Sequence, residues 1–239
     1  MKERISLLGL SASPRKNGNS TFLLDEALQA AESFEAAEVA TERFEFAGKR
    51  MSPCIGCYGC IDAKGECILK DDFQALRDLW VEADAVVCSI PIFAMSLPGQ
   101  LKCFFDRLAN SLMFREDASH NPLKAVGTIS QGMHFAAGQE SVIRDMANIS
   151  MLLGCLPVAG ESYNGVRGWT YDKLSRSTLK KAAEAGDDAT IHLLSESRHI
   201  VTHLLTVALL IRSGARANDA WLAGQADYAS LRKRVEQKT

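Results

Sequence analysis

Four cysteines stand close together in the chain and form a specific chemical pattern. Two residues fill each of the first two gaps and six fill the third, so that Cys54, Cys57, Cys60 and Cys67 lie within fourteen residues. A cubane iron–sulfur cluster needs four thiolates around a compact core, and two successive two-residue gaps let a chain wrap around one. A four-thiolate zinc site more often uses two separated Cys-x2-Cys pairs. The spacing leaves three alternatives: an iron–sulfur cluster, zinc, or free thiols.

A polar loop, residues 11–21, follows the first apolar run and offers hydroxyls, amides and the guanidinium of Arg15. It leads into a predicted helix, whose first backbone N–H groups and dipole favour a phosphate. The loop has neither the Gly-x-Gly-x-x-Gly pattern of dinucleotide sites nor the Gly-Lys-Ser/Thr ending of a P-loop. The pattern therefore disfavours a dinucleotide or ATP and fits a monophosphate, although an ordinary polar loop with a Ser or Thr cap is the alternative.

Two further loops could contact a flat ring. The segment 91–100 carries more large apolar side chains than a solvent loop usually does, and Phe93 and Met95 could pack against an aromatic ring. The alternative is that both side chains fill the core. The segment 130–134 could bring its amides to the same ring, whereas a lone His134 is more often a surface or core histidine than a proton donor.

Strands alternate with helices along the first 160 residues. Apolar runs predict the strands, and segments with apolar residues at helical spacing separate them. Five strands joined by helices predict an α/β fold with a doubly wound parallel sheet. Ligands of such sheets bind beyond the carboxyl ends of the strands, where the three loops are expected to lie. The predicted strands are 5–10, 39–46, 85–90, 125–130 and 155–159.

Three segments resemble the superfamily of NAD(P)H-dependent FMN reductases and iron–sulfur flavoproteins. The segment 9–20, GLSASPRKNGNS, is similar to its phosphate loop. The segment 89–102, SIPIFAMSLPGQLK, followed by FDR at 105–107, resembles its second FMN loop and the helix after it. The cysteine segment matches as well. The resemblance covers residues 4–160 and implies a flavodoxin-like fold that binds FMN.

By this resemblance, the first loop holds the phosphate of FMN and the other two loops line its ring. The implied residues are Ser11, Ser13, Pro14, Arg15, Asn19, Ser20 and Thr21 at the phosphate, and Pro91, Ile92, Phe93, Ala94, Met95, Ser130, Gln131 and Gly132 at the ring. In the iron–sulfur flavoproteins a compact cysteine segment binds a 4Fe–4S cluster near FMN, which implies that Cys54, Cys57, Cys60 and Cys67 are ligands. Cluster-free FMN reductases can keep a similar segment, so free thiols stay an alternative.

The resemblance implies a flavin-dependent oxidoreductase that transfers electrons from NAD(P)H or ferredoxin through FMN to a small acceptor. No catalytic side chain is expected, because the flavin carries the chemistry. Three alternatives stay open at this point. They are a 4Fe–4S electron carrier without a small substrate, a substrate-specific FMN-dependent dehydrogenase, and a flavin-free zinc or thiol redox sensor.

The last part of the chain lies outside this unit. We divide the chain into a flavodoxin-like FMN-binding domain, residues 1–185, and a C-terminal helical extension, residues 186–239. Apolar residues between Ile191 and Ile211 predict a long helix with a broad apolar stripe. Such a helix packs either on its own domain or on another subunit. Because the sheet already has its helices, we favour another subunit, in a homodimer or homotetramer.

The overall composition limits partners and location. A net charge of −2 argues against nucleic acid or an anionic membrane as a partner. The apolar run 200–211 is shorter than the ~20 residues that span a bilayer. Glu3 and the short apolar run after it do not fit a signal peptide, so we expect a first strand there and a cytoplasmic protein. The remaining cysteines fall in apolar patterns and are expected to be buried and unpaired: Cys88, Cys103 and Cys155.

Overall fold

The computed structural model describes residues 2–115, 121–160, 165–170 and 177–237. Its strands are β1 Arg4–Ser11, β2 Glu38–Glu45, β3 Ala85–Pro91, β4 Ala125–Gly132, β5 Leu156–Pro157 and β6 Val166–Trp169. Its helices are α1 Asn19–Glu32, α2 Gly59–Asp62, α3 Phe73–Glu82, α4 Gly99–Met113, α5 Gln139–Leu152, α6 Thr178–Glu184, α7 Asp188–Ala217, α8 Asp219–Leu222 and α9 Ala229–Glu236. A turn of 3₁₀ helix, Ala226–Tyr228, precedes α9.

The central sheet is parallel, with the strand order β2-β1-β3-β4-β5. This is the flavodoxin-like order, in which the progress of the chain across the sheet reverses between β1 and β3. Every residue of β3 is buried, since helices cover both faces of the sheet there. The predicted flavodoxin-like, doubly wound fold with five strand positions is confirmed.

The fifth strand position is split between two short strands. β5 pairs with Ala125 and Val126 at the start of β4, and β6 pairs with residues 129–132 at its end. The predicted strand 155–159 is therefore too long, because two of its residues alone pair as a strand. β6 was not predicted, because a four-residue strand that contains Arg167 and Gly168 gives no apolar run.

Two apolar cores flank the sheet. On one face, α3, α4 and α5 pack around a cluster of aromatic rings. The ring centroid of Phe105 lies 5.6 Å from that of Trp80 and 5.3 Å from that of Phe104. On the other face, α1 and α7 pack against each other and onto β1, β3 and β4. The sheet therefore carries a complete helical layer on each side.

Helix α7 covers its own sheet. Ile200, Val201, Leu204 and Leu205 are completely buried in the core on that face. A Cβ on Gly127 of β4 would lie 2.9 Å from Leu204 Cδ1, so the glycine lets the helix approach the strand closely. The expectation that this stripe packs on another subunit is therefore wrong. The expectation assumed that other helices already cover both faces of the sheet. On this face, however, α1 and α7 form the covering layer together.

Helix α7 is also long and apolar enough to be considered as a membrane-spanning helix. By length and composition alone the helix is suited to cross a membrane, with a mean hydropathy of 1.3 in its most apolar window. Core helices of globular proteins pass the same test. Here the apolar residues on one side of the helix contact the sheet and α1.

Buried ion pairs fasten the C-terminal segment to the start of the sheet. Asp84, which precedes β3, accepts hydrogen bonds from Arg212 Nη1 of α7 at 3.3 Å and from Arg234 Nε of α9 at 3.2 Å. Its other oxygen accepts the backbone N–H of Ser6 in β1 at 3.0 Å. The segment 186–239 thus shares both core and ion pairs with the rest of the chain, and its separation as an extension stays a prediction.

Candidate functional site

A cavity of about 380 Å³ lies beyond the carboxyl ends of β1, β3 and β4. This volume falls within the range of small-molecule sites in proteins. Its wall is formed mostly by the first loop (residues 11–21), the second loop (91–100) and a third loop that extends from the predicted segment 130–134 to Gly138. The lining residues are Ser13, Arg15, Gly18, Asn19, Ser20, Pro91, Ile92, Phe93, Ala94, Met95, Gln131, Gly132, Met133, His134, Ala137 and Thr170.

The first loop presents hydrogen-bond donors to this cavity. Helix α1 begins there without a side-chain cap from the residue before it, so its first N–H groups are available. Ser13 Oγ accepts the N–H of Arg15 at 3.1 Å, and Ser20 Oγ accepts from Gln131 Nε2 at 3.4 Å. Backbone N–H groups, hydroxyls and the exposed guanidinium of Arg15 are the donors that suit a phosphate.

Some of the predicted residues lie behind the cavity wall rather than on it. Ser11 and Thr21 are buried with their hydroxyls 3.2 Å apart, and they join β1 to α1. Asn19 lines the cavity, but its Oδ1 accepts the N–H of Leu179 at 3.2 Å and so fastens α6 to the start of α1. The predicted residues absent from the lining are Ser11, Pro14, Thr21 and Ser130.

The second loop turns sharply at the cavity. Ala94 and Met95 have φ values of 48° and 66°, which place two successive non-glycine residues in the left-handed region. Phe93 and Met95 are 44% and 58% exposed, so they form an apolar rim and do not fill the core. Among the described residues, no group accepts a hydrogen bond from the backbone N–H of Ala94 or Met95. The loop thus offers both apolar contacts and N–H donors to a flat ligand.

The third loop and the end of β4 close the opposite side. Gln131 Oε1 is buried and accepts no hydrogen bond from the described residues. Buried polar atoms normally have partners, so this oxygen suits a ligand that donates a hydrogen bond. The predicted segment 130–134 includes Gln131, Gly132, Met133 and His134, which line the cavity, but it does not include Ala137 or Thr170. Thr170 directly follows β6, so a prediction of that short strand would have placed Thr170 at the carboxyl end of a strand, next to the cavity.

The four clustered cysteines line one small cavity of about 110 Å³, against α4. Tyr58 and Gly56, with φ values of 55° and 63°, turn the chain between the thiols. Burial, together with the charges of the neighbouring thiols, raises the pKa of Cys60. The cysteines differ in exposure and none of them forms a disulfide: Cys54 and Cys57 are exposed, and Cys60 and Cys67 are half-buried.

The chemistry of this second cavity is that of thiols. Its described lining contains no carboxylate and no imidazole. In the part of the chain that the structure describes, no three His, Cys, Asp or Glu side chains are arranged to hold a metal ion. A cubane cluster is wider than one ion, so its thiolates stand farther apart than the ligands of a single ion. The donor set therefore fits an iron–sulfur cluster in its chemistry.

The other cysteines differ from these four. Cys88 and Cys155 are buried as predicted, and burial raises the pKa of their thiols to about 12 and about 11. Cys103 on α4 is half-buried instead of buried. Cys88 and Cys155 are enclosed in the core, whereas the clustered cysteines are exposed or half-buried and can react or bind a ligand.

A buried ion pair holds both ends of the cysteine segment. Arg107 Nη1 of α4 lies 2.8 Å from the carboxylate of Asp71, and its Nη2 donates to the carbonyl of Leu69 at 2.8 Å. Asp71 also accepts the N–H of Ser52 at 2.8 Å. Burial alone would raise the pKa of Asp71, but hydrogen bonds from Ser52 and Arg107 lower it below its ordinary value. The guanidinium stacks on Phe73, 4.2 Å from the ring centroid.

The sheet order and the cavity at the carboxyl edge define a flavodoxin-like α/β protein with a small-molecule site. Residues 5–169, more than half of the chain, match the family of NADPH-dependent FMN reductases. The chain belongs to this family and is a flavin oxidoreductase.

Relatives that match the chain are iron–sulfur flavoproteins. One from Archaeoglobus fulgidus is 32% identical over 178 residues, and the match covers 74% of this chain and 87% of the relative. One from Methanosarcina thermophila is 26% identical over 199 residues, covering 81% and 99%. Another from Archaeoglobus fulgidus is 37% identical over 101 residues, covering 42% of this chain. The chain spans less than half of that relative's length, 44%.

Solved structures share the fold. RosB, crystallised with 8-demethyl-8-formylriboflavin-5′-phosphate, has a TM-score of 0.66 at 17% identity, and the match covers 92% of this chain and 88% of RosB. An azoreductase from Bacillus anthracis has a TM-score of 0.57 at 14% identity, covering 83% and 99%. Identities this low show a common fold alone. Because the match to RosB omits 8% of this chain at most, it includes much of the C-terminal helical segment.

Proposed function

We propose that this chain takes electrons from NAD(P)H or ferredoxin and passes them through FMN to a small acceptor. The observation that carries the proposal is the cavity at the carboxyl ends of β1, β3 and β4. An uncapped helix end and an apolar rim face one space there, which suits a ligand with a phosphate at one end and a flat ring at the other. Membership of the FMN reductase family supports FMN as that ligand.

Each loop has its own part in this proposal. Ser13, Arg15 and Ser20, with the first N–H groups of α1, hold the phosphate. Phe93 and Met95 contact the ring, and the N–H groups of the second loop donate to its polar edge. Gln131 Oε1 accepts from the ring on the opposite side. The remaining predicted residues support these contacts: Ser11, Pro14, Asn19, Thr21, Pro91, Ile92, Ala94, Ser130 and Gly132.

The chain's own contribution is to bind and orient the ring and to leave room for an electron donor. FMN, when bound, supplies hydride acceptance and the release of single electrons. The sequence contains no Gly-x-Gly-x-x-Gly fingerprint. This supports direct stacking of the nicotinamide on the flavin, and not binding in a separate dinucleotide-binding fold.

We further propose that Cys54, Cys57, Cys60 and Cys67 bind a 4Fe–4S cluster. Four thiols that share one cavity without carboxylate or imidazole support this proposal, as does the similarity to iron–sulfur flavoproteins. A cluster at this position would supply single-electron transfer. The ion pair of Arg107 and Asp71 holds this segment against α4.

An absorbance spectrum of protein purified without oxygen tests both proposals, together with assays of iron and acid-labile sulfide. Flavin bands with four irons and four sulfides per chain are the expected result. Flavin bands without iron would leave a simple FMN reductase with reduced thiols. Colourless protein that does not take up added FMN would overturn the proposed function and favour a thiol-based sensor.

A second measurement separates an enzyme from an electron carrier. We expect NAD(P)H to bleach the flavin rapidly under anaerobic conditions. Bleaching by reduced ferredoxin alone would favour a carrier that relays electrons between proteins. A homodimer or homotetramer and a cytoplasmic location stay part of the proposal, and light scattering of the holoprotein tests the first of them.

A further inference from the structure

The second loop holds two neighbouring non-glycine residues in the left-handed region. Phe93 and Ser96 exchange backbone hydrogen bonds of 3.1 and 3.0 Å, which close a tight turn around Ala94 and Met95. Turns with positive φ at both central residues strongly prefer Asn-Gly or Gly-Gly pairs. Alanine and methionine are strained there, and such strain persists where the surroundings hold it. Something outside the turn must therefore fix its conformation.

The backbone of Met95 rests directly on Gly138, the residue before α5. A Cβ on Gly138 would lie 2.7 Å from the carbonyl oxygen of Met95 and 2.8 Å from its Cα. Such contacts do not occur in folded proteins, so no other residue type fits without moving the turn. Gly138 is itself left-handed, with a φ of 107°. The third loop thus supports the turn of the second loop from behind.

Gln139 keeps Gly138 from moving away. Its side chain is 2% exposed, and its Oε1 accepts the N–H of Ala137 at 2.8 Å. Its Nε2 donates to the carbonyls of His134 at 2.6 Å and Gly168 at 3.1 Å. One buried amide therefore ties the third loop to itself and to β6. The surface on which Met95 rests is rigid, because each of these bonds is satisfied within the protein.

We propose that Gly138, held by Gln139, is a positioning residue that sets the left-handed turn at Ala94 and Met95 in the shape needed to receive the flavin ring. The inference rests on the proposed FMN site. In this arrangement the N–H groups of Ala94 and Met95 stay available to the polar edge of the ring. A turn fixed before binding spares the ligand the cost of ordering it.

The test compares Gly138→Ala with Gly186→Ala. Both glycines are left-handed, but a Cβ on Gly186, between α6 and α7, would meet no atom within 4 Å. Backbone strain is therefore common to both variants, and contact with Met95 is specific to Gly138→Ala. We expect Gly138→Ala to bind FMN at least about tenfold more weakly than wild type. The midpoint potential of the bound FMN is also expected to differ from that in wild type. Gly186→Ala is expected to stay within about twofold of wild type in affinity, with an unchanged potential.

Hydrogen exchange in flavin-free protein gives a second readout, independent of FMN. The Phe93 and Ser96 amides are expected to exchange faster in Gly138→Ala than in wild type or Gly186→Ala. If exchange, affinity and potential match in the two variants, Gly138 does not position the turn and the inference is wrong. If wild type binds no FMN while the exchange still differs, the proposed function fails and the positioning of the turn stands.

Gln139→Glu keeps the test decisive if Gly138→Ala does not fold. The carboxylate can still accept the Ala137 N–H but can no longer donate to His134 and Gly168. Faster exchange of the Phe93 and Ser96 amides is expected again, since Gly138 loses its support. A folded Gln139→Glu protein with wild-type exchange at both amides would overturn the inference.

Discussion

Arg15 and Lys16 are adjacent exposed cations, but Arg15 alone of the two lines the cavity at the carboxyl ends of β1, β3 and β4. If Arg15 contacts the phosphate of FMN, Arg15→Ala removes a charge-assisted hydrogen bond, and we expect FMN to bind about tenfold more weakly. Lys16→Ala is the matched control, with an expected change of less than about twofold. Titration of flavin fluorescence measures both. Riboflavin has no phosphate, so equal losses of FMN and riboflavin affinity in Arg15→Ala would contradict the phosphate contact.

The four clustered thiols allow a similar matched pair. Cys57 lies in the cysteine cavity, whereas Cys103 is a half-buried thiol on α4 outside it. A serine hydroxyl is a poor ligand for iron, so we expect Cys57→Ser to lose most of its iron and sulfide after anaerobic purification. Cys103→Ser is expected to keep them, and both variants should keep their flavin. Equal iron contents in the two variants would show that Cys57 is not a ligand.

Individual residues also show where reading of the sequence reaches its limit. The thiol spacing and the donors of the first loop are local patterns, and the structure places them at cavities. The left-handed turn at Ala94 and Met95 was not predicted, because its conformation depends on contact with Gly138, over forty residues away. Asn19 faces the cavity by position, but its bond to Leu179 depends on where α6 packs. Tertiary contacts of this kind leave no local signal.

The clamp formed by Arg107 and Asp71 joins α4 to both ends of the cysteine segment. Asp71→Asn leaves the buried guanidinium without a counter-charge, and we expect a loss of about 3–5 kcal/mol in the free energy of unfolding. Asp106 is the control, because it pairs with Lys102 on the exposed face of the same helix. Asp106→Asn is expected to cost less than about 1 kcal/mol. Urea denaturation measures both losses.

The same ion pair makes stability depend on pH. The pKa of Asp71 is lower in the folded protein than in the unfolded chain, so the folded state binds its proton less readily. Its contribution is complete above the ordinary carboxyl pKa of about 4 and is lost as the pH falls through the lowered value. The difference between wild type and Asp71→Asn should therefore be constant near neutral pH and shrink below about pH 4. A difference that grows on acidification would contradict this assignment.

Among the elements, long strands were easier to predict than short ones. β3 is a continuous apolar run because helices cover both of its faces, and its predicted bounds differ from the observed ones by one residue. β5 and β6 are short, so the predicted strand 155–159 extends beyond β5 at both ends and β6 was not predicted. The apolar stripe of α7 was predicted correctly as a helix, but a stripe does not specify the surface that it covers.

If α7 belongs to the core of the flavodoxin-like fold, we expect the whole molecule to unfold as one unit. Its buried residues form one cluster with those of α1, β1, β3 and β4. Asp84 adds a buried ionic link to Arg212 and Arg234 of the C-terminal segment. A sheet stripped of α7 would expose this apolar face to water, at a cost of about 25 cal/mol for each Å². Helix α7 therefore packs as a layer of the fold, and the match to RosB extends into the same part of the chain.

Leu204 and Leu210 of α7 distinguish a structural layer from a separate extension. Leu204 is completely buried against Gly127 of β4, whereas Leu210 is 67% exposed. We expect Leu204→Ala to lower the free energy of unfolding by about 2–5 kcal/mol, and Leu210→Ala by less than about 0.5 kcal/mol. In Leu204→Ala, the release of FMN and the loss of helical circular dichroism should shift together, because one cooperative unit gives coincident transitions. Loss of helix signal before flavin release would mean that α7 melts separately, as an independent extension would. A larger loss in Leu210→Ala than in Leu204→Ala would mean that the exposed side of α7 carries the stabilising contact, as a subunit interface there would.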